Sequence, residues 1–314
     1  MGIIKYRKIW YAFSLFIFIA SLFAVFKFGL KQGIDFTGGS LLEIEYVAAR
    51  PDAAILKQKI EALSLGNAVV QPSGDKNIII RMKDLSEEQH QKVLSAALGA
   101  GQARPLTPEL SDGGRGKEIR FDSIGPVIGK ELKKKSITAI ILVVVMIILY
   151  IALAFRKVSK PVNSFYYGLM AVVALIHDVT LPAGVFAVLG HYYGVEVDTL
   201  FVTALLTVLG FSVHDTIVVF DRIRENLRNN IGKNNFETIV GASVKQTINR
   251  SINTSLAVIL VLLAIFFLGG ESTKYFSLAL MIGIFIGTYS SIFLASPLLV
   301  TLDKFKNKNR QSAS

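Results

Sequence analysis

Two aspartates stand inside apolar runs long enough to cross a lipid bilayer. A carboxyl placed there can take up and release charge. Asp215 lies in Gly210-Phe211-Ser212-Val213-His214-Asp215-Thr216, and Asp178 follows His177 within the run from Phe165 to Leu189. Holding an ionised side chain at the centre of a bilayer costs on the order of 2.5–3.5 kcal/mol on insertion scales, so a functional role is the default reading. At 1.5 Å per residue, Asp215 falls roughly 22 Å from the outer end of its span and Asp178 near the middle of its own.

Arg250, in Thr247-Ile248-Asn249-Arg250-Ser251-Ile252-Asn253-Thr254, precedes the next apolar run, and its long side chain could extend inward to the level of Asp215. Thr247, Asn253 and Thr254 lie three or four residues from Arg250. Ser212 is one turn before Asp215, and Thr216 follows it, so both charges have polar neighbours on their helices. A carboxyl that responds to water access and to a mobile arginine could bind a proton from one side and release it to the other. The alternatives are a structural carboxyl satisfied by hydroxyls, for either aspartate, and an interfacial anchor for Arg250.

His177 and His214 each neighbour an aspartate but point about 100° away around a helix, which argues against a shared metal site. His214 is better suited to hydrogen bonding between helices. The charged run Asp221, Arg222, Arg224 and Glu225 is either a solvated face or a clamp on the following loop. No phosphate-binding loop, zinc-protease motif or nucleophile elbow occurs, so no catalytic residue, bound cofactor or enzymatic activity is expected. An energy source other than bound nucleotide is implied. A carboxyl with hydroxyl neighbours suits a proton or a sodium ion.

These residues need a bilayer to position them. The 314 residues are 52% hydrophobic, with mean hydropathy +0.51 and no cysteine, so neither disulfides nor thiolate metal sites contribute. Six stretches approach the roughly 20 apolar residues that a span requires: Ile9–Phe28, Ile137–Phe155, Phe165–Leu189, Leu200–Phe220, Thr254–Leu268 with its flanks, and Tyr275–Leu302. The first exceeds a typical signal-peptide core and reads as a retained anchor. Within the last, Gly283 and Gly287 fit a Gly-x-x-x-Gly helix contact.

The net charge of +11 is not a nucleic-acid signature, because from Lys31 to Lys135 sixteen basic residues nearly balance fourteen acidic ones. The excess lies in short segments: Lys5, Arg7 and Lys8; Arg156, Lys157 and Lys160; Arg222, Arg224, Arg228, Lys233 and Lys245; and the tail from Lys304. The positive-inside rule puts those segments and both termini in the cytoplasm, although Lys133, Lys134 and Lys135 run against it. The expected divisions are 1–28 for the N-terminus and first span, 29–135 for an extracytoplasmic domain, 136–303 for five further spans, and 304–314 for a basic tail.

Between the first two spans the pattern turns globular. Ser40–Val47 alternates as a strand, with Leu42, Ile44 and Tyr46 inward, and Asp52–Ser64 places Ile55, Leu56, Ile60 and Leu63 on one helical face behind an Asp52 cap. Strands follow at Asn67–Val70 and Asn77–Met82 around the turn residues Pro72, Ser73, Gly74 and Asp75. A helix then opens at Ser86, ends near Gly99, and gives way to a final strand, Glu118–Ile124. The order βαββαβ predicts an α+β, ferredoxin-like sandwich. Leu106–Lys117 reads as a loop, and Pro126 as the start of a helix entering the second span without a break.

Four stretches resemble the SecF branch of the SecD/SecF protein-export membrane proteins, within the resistance-nodulation-division superfamily. They are Gly33-Ile34-Asp35-Phe36-Thr37-Gly38-Gly39, Ser123-Ile124-Gly125-Pro126, Val213 through Asn226, and Gln246 through Ser255. The resemblance covers nearly the whole chain and implies a multi-pass protein of the inner (cytoplasmic) membrane. It implies the partners SecD, the SecYEG channel, a translocating preprotein and membrane lipids, with no nucleic acid. By the family's motif, Asp215 would be the proton-responsive carboxyl and Arg250 its basic partner. Asp35, Gly38 and Gly39, with Gly125 and Pro126, would couple the soluble domain to the spans. The implied function is proton-driven assistance to late preprotein translocation. The rival reading is a half-transporter of the same superfamily that exports small molecules.

Overall fold

A computed structural model of the chain describes residues 2–47, 50–99, 116–154, 164–229 and 235–311. The elements run α1 (Gly2–Lys5), α2 (Arg7–Phe28), α3 (Ile34–Thr37), β1 (Gly39–Tyr46), α4 (Ala53–Glu61), β2 (Val69–Ser73), β3 (Asn77–Met82), α5 (Glu87–Leu98), β4 (Gly116–Ile124), α6 (Pro126–Ala154), α7 (Ser164–Tyr193), α8 (Thr199–Asn229), α9 (Phe236–Leu268), α10 (Glu271–Ser290), a π-helical turn (Ser291–Ala295) and α11 (Ser296–Gln311). They form two compact units, residues 32–136 and the remainder. The expected segment Leu106–Lys117 lies outside the described residues except for Gly116 and Lys117, which already belong to β4. Arg156, Lys157, Lys160 and Lys233 lie outside them as well.

In the soluble unit the strand order is β2-β3-β1-β4, with every neighbouring pair antiparallel. This is the split βαβ arrangement expected from the element order. One face of the sheet carries Leu42, Ile44, Ile78, Ile80 and Met82, which pack with Leu56 and Ile60 of α4 and Val93 and Leu94 of α5. Each such side chain contributes about 1.5–3 kcal/mol on burial. Asp52 accepts hydrogen bonds from the amides of Ala54 and Ile55, and Ser86 with Gln89 forms a reciprocal capping box, so both helices begin where the sequence places them.

Three details differ from expectation. Ile55 is 56% exposed, because α4 presents Leu56 and Ile60 to the sheet and turns Ile55 outward. β2 runs from Val69 through Ser73, so Pro72 lies in the strand; β2 is an edge strand, where a missing N–H is tolerated. The turn is correspondingly Gly74–Lys76.

Among the described residues, six helices are long and apolar enough to cross a membrane: α2, α6, α7, α8, α9, and the last one running from α10 into α11. The chain is a multi-pass membrane protein. The apolar stretches of α2 and α6 are largely exposed, as lipid-facing helices are, while those of α7, α8 and the last helix are half buried or more. One apolar core joins Tyr167, Leu175, Leu209, Phe220, Val240 and Leu299; another joins Phe186, Phe201, Leu205, Val208 and Leu280.

Two features of the last helix shape the site. A Cβ on Gly283 would stand 2.2 Å from a methyl of Val208, and one on Gly287 would stand 3.0 Å from the Ser212 Cβ, so these glycines bring α10 directly onto α8. Further along, Pro297 has no N–H to give the carbonyl of Phe293 and would clash with it in a regular helix. The backbone widens there into the π turn, and the Ser296 hydroxyl donates to the Ser291 carbonyl at 2.8 Å.

Candidate functional site

Where α7, α8 and α10 meet, Asp178 is completely buried. Its Oδ2 accepts from Ser212 of α8 at 2.5 Å and from Ser290 of α10 at 2.6 Å, and His177 Nδ1 lies 2.9 Å from its Oδ1. The 100° between neighbouring side chains on a helix therefore does not keep the His177 imidazole from the Asp178 carboxyl. No group of metal-ligating side chains occurs among the described residues. Three donors from three helices surround this carboxyl, the arrangement that makes a buried charge tolerable.

Asp215 is 6% exposed and differently served. Its Oδ1 accepts from Ser251 of α9 at 2.5 Å, while its Oδ2 has no hydrogen-bond partner among the described residues. The α9 side of this contact is a stripe of small hydroxyl residues at fourth-residue spacing: Ser243, Thr247, Ser251 and Ser255, all buried. Such spacing puts one polar edge along one helical face. Ser255 in turn donates to the Ser251 carbonyl and is hydrogen-bonded to Thr288 of α10.

Several sequence expectations change here. No ion pair joins Asp215 to Arg250 among the described residues: Ser251 faces the carboxyl, so its neighbour Arg250 points about 100° away and is exposed, though still within electrostatic reach. Ser212 serves Asp178 rather than Asp215. Thr216 bonds Ser291 at 2.9 Å, and Thr247 donates back to carbonyls of its own helix. Asn253 and Thr254 lie on the exposed face of α9, and His214 is exposed on α8, and among the described residues none of the three bridges helices.

Below the aspartates, Asp221 and Arg224 pair within α8, and the expected clamp is found on α9 rather than on a loop. Gln246 Oε1 accepts from Arg222 Nε at 2.7 Å and from Asn226 Nδ2 at 2.8 Å. This sets the register of α8 against α9 five residues ahead of Ser251.

The residues expected to link the soluble unit to a span also come together. Gly38 has φ +75°, and a Cβ on it would lie 2.7 Å from the Pro126 Cα; Gly39 has φ +130°, and a Cβ there would meet the Met82 carbonyl at 2.6 Å. Only glycine fits both the backbone conformation and the space. Gly125 accepts from the Gly129 amide at 3.1 Å, which closes the first turn of α6. Asp35 occupies α3, one turn before this contact. The Gly-Gly turn is thus seated on the start of α6, the helix that continues as the second span.

Reasoning from sequence missed Ser251, Ser255, Thr288, Ser290, Ser291 and the bond made by His177. The four-residue repeat of hydroxyls in α9 was a readable signal. The rest depend on which helices are neighbours.

Comparison with known proteins matches residues 109–305 to the family described as protein export membrane protein SecD/SecF, C-terminal, and residues 23–49 to the SecD/SecF GG motif. The chain is 43% identical over 310 residues to the protein translocase subunit SecF of Thermobaculum terrenum, covering 96% of this chain and 93% of that one. It is 36% identical over 322 residues to the subunit of the same name from Synechocystis, covering 98% and 96%. Among solved structures, it is similar to SecDF, a translocon-associated membrane protein from Thermus thermophilus, with TM-score 0.80 and 28% identity, covering 97% of this chain and 39% of that one. The chain therefore spans about two-fifths of that SecDF chain.

Proposed function

We propose a function for this chain from the premise that it belongs to the SecF family of protein translocase subunits. It acts as an auxiliary subunit of the Sec preprotein translocase, working with SecD beside the SecYEG channel and drawing on the proton motive force to promote the late stage of preprotein passage on the outer side. It is not an enzyme and uses no resident cofactor; a proton is the driving ion, with sodium as the second choice. It resides in the inner membrane with both termini in the cytoplasm.

The observation that carries this reading is the half-served carboxyl of Asp215, with one oxygen held by Ser251 and the other unpartnered in a nearly closed site. A hydrogen bond to an ionised acceptor is roughly twice as strong as a neutral one. Protonation of Asp215 would therefore weaken the pull on Ser251 and loosen α8 from α9. Arg250, one residue before Ser251, moves with that change. α6 runs unbroken from Pro126 to Ala154, so the helix on which the Gly-Gly turn rests can carry the rearrangement to the soluble domain.

Asp215→Asn tests the proposal in vesicles containing SecD, SecYEG and the full chain under imposed proton or sodium gradients. The expected result is intact assembly with loss of gradient-dependent translocation, and the gradient that stimulates the unaltered protein identifies the ion. Undiminished stimulation in the variant would reduce the chain to a passive scaffold. Normal preprotein maturation accompanied by lost efflux of small molecules would favour the exporter reading.

A further inference from the structure

Where α10 runs into the π turn, four hydroxyl residues follow one another, Thr288, Tyr289, Ser290 and Ser291; Tyr289 bonds Ser14 of α2, and the three small ones face the rest of the bundle. At about 100° per residue, Ser290 and Ser291 point roughly 200° and 300° around the helix from Thr288, so each addresses a different neighbour. Thr288 bonds Ser255 of α9, Ser290 donates to Asp178 of α7, and Ser291 bonds Thr216 of α8. All three are buried. Two of these contacts converge on Asp215. Thr288 holds Ser255, which donates to the carbonyl of Ser251, the residue that donates to Asp215 Oδ1. Ser291 holds Thr216, the residue after Asp215 on α8.

We propose that Thr288, Ser290 and Ser291 are positioning residues for the Asp215 carboxyl, forming a three-way hub that fixes α8 and α9 to α10 while α10 is itself pinned to Asp178. The inference rests on Asp215 being the titrating group. The π turn gives the hub its setting. Pro297 has no N–H for the Phe293 carbonyl inside the turn, so the Ser291 hydroxyl and carbonyl lie where α-helical winding gives way to π winding, a common place for functional irregularity. The hub turns a local change in charge at Asp215 into a change in how three helices are held, because its bonds lie in a water-poor interior where each affects its neighbours. Among the described residues, the charged and titratable groups within reach of Asp215 are His214 on its own helix, Arg250 on α9 and Asp178 on α7, while the Thr288 contact of α10 is to Ser255.

The test reads the Asp215 carboxyl directly. Infrared difference spectra of the full chain across pH contain a carboxyl band that Asp215→Asn removes. Thr288→Val, nearly the same shape without the hydroxyl, is expected to shift the midpoint of that band by about one pH unit. Ser291→Ala is expected to shift it as well, and Thr288→Ser to restore the original midpoint. The pH profile of gradient-driven translocation in vesicles should move with the band. Thr203→Val, an exposed threonine on α8 away from the hub, should move neither.

The positioning role is overturned if Thr288→Val and Ser291→Ala leave the midpoint in place. It is equally overturned if Thr288→Ser shifts the midpoint as far as valine does, since shape rather than hydrogen bonding would then be responsible. If Asp215 in the unaltered chain gives no titrating band, the proposed function and the hub fall together. A titrating band untouched by the hub variants removes only the hub.

Discussion

Asp178 and Asp215 are the same residue type, both buried among apolar helices of one bundle, and their surroundings separate them. Asp178 is met by Ser212 of α8, Ser290 of α10 and His177 of its own helix α7, and no part of it is exposed. Asp215 has one donor, one unpartnered oxygen and a small opening. A fully hydrogen-bonded buried carboxyl gains little from changing its charge and loses much if a partner is removed; a half-bonded one can change with less disturbance. Under the proposed function, the first would hold helices and the second would switch. Reading each aspartate by its burial alone would have given them the same role.

The widest way to break this contrast is to remove the holding carboxyl. Asp178→Ala removes the acceptor of the Ser212 and Ser290 hydroxyls and leaves the His177 imidazole in a closed interior, and should lower stability by about 3–5 kcal/mol, the range found when a buried charged group loses its partner. Denaturant unfolding in micelles measures it. Asp215→Asn should lose under about 1 kcal/mol in the same experiment, because only one hydrogen bond is altered. Equal losses for the two variants would end the division into anchor and switch. Asp178→Asn sharpens the test: the serine hydroxyls can rotate to meet an amide, so it should fall between the two.

A smaller effect is expected from the anchor's donors. Ser290→Ala removes one of two hydroxyls on Asp178 Oδ2 and should cost about 1–3 kcal/mol. Ser251→Ala, which removes the donor to Asp215 Oδ1, should cost less in stability because the site already tolerates an unpartnered oxygen, yet it should disturb gradient-driven translocation more. Comparing unfolding with translocation in the two variants checks the crossing of effects. Parallel changes in both measurements would show that the two carboxyls differ only in degree.

Much of this architecture was readable in the residues. Apolar run length gave all six spans, and the alternation of Leu42, Ile44 and Tyr46 with the caps at Asp52 and Ser86 gave the sheet and its helices. Both aspartates stood out because charge is rare in apolar runs. Their partners did not, since a serine such as Ser290 carries no sign of which helix it will meet, and the rotation of α9 that brings Ser251 to Asp215 in place of Arg250 is decided by contacts among helices distant in sequence. The π turn was announced only by Pro297. At the edge strand β2, a turn signal at Pro72 was outweighed by pairing with β3, which needs no amide from that position.

The soluble unit offers a polar group treated like Asp178 but at lower stakes. Tyr46 is buried in the sheet core, and its hydroxyl donates to the Ala97 carbonyl at 3.2 Å. Burial pushes its ionisation up to about 12. The unfolded value is about 10. The stabilisation gained by keeping the ring neutral is therefore complete below that unfolded value and is lost as pH rises through the folded one. Tyr46→Phe should cost about 1 kcal/mol at neutral pH, through the lost hydrogen bond. The same substitution should reduce the extra weakening seen near about pH 11, because phenylalanine has no proton to release. The chain has no cysteine, so a fluorophore on Lys57→Cys in α4 reports urea unfolding of this unit alone within the full-length protein. A loss at neutral pH with unchanged alkaline weakening would mean that Tyr46 anchors the sheet while another group sets its alkaline limit.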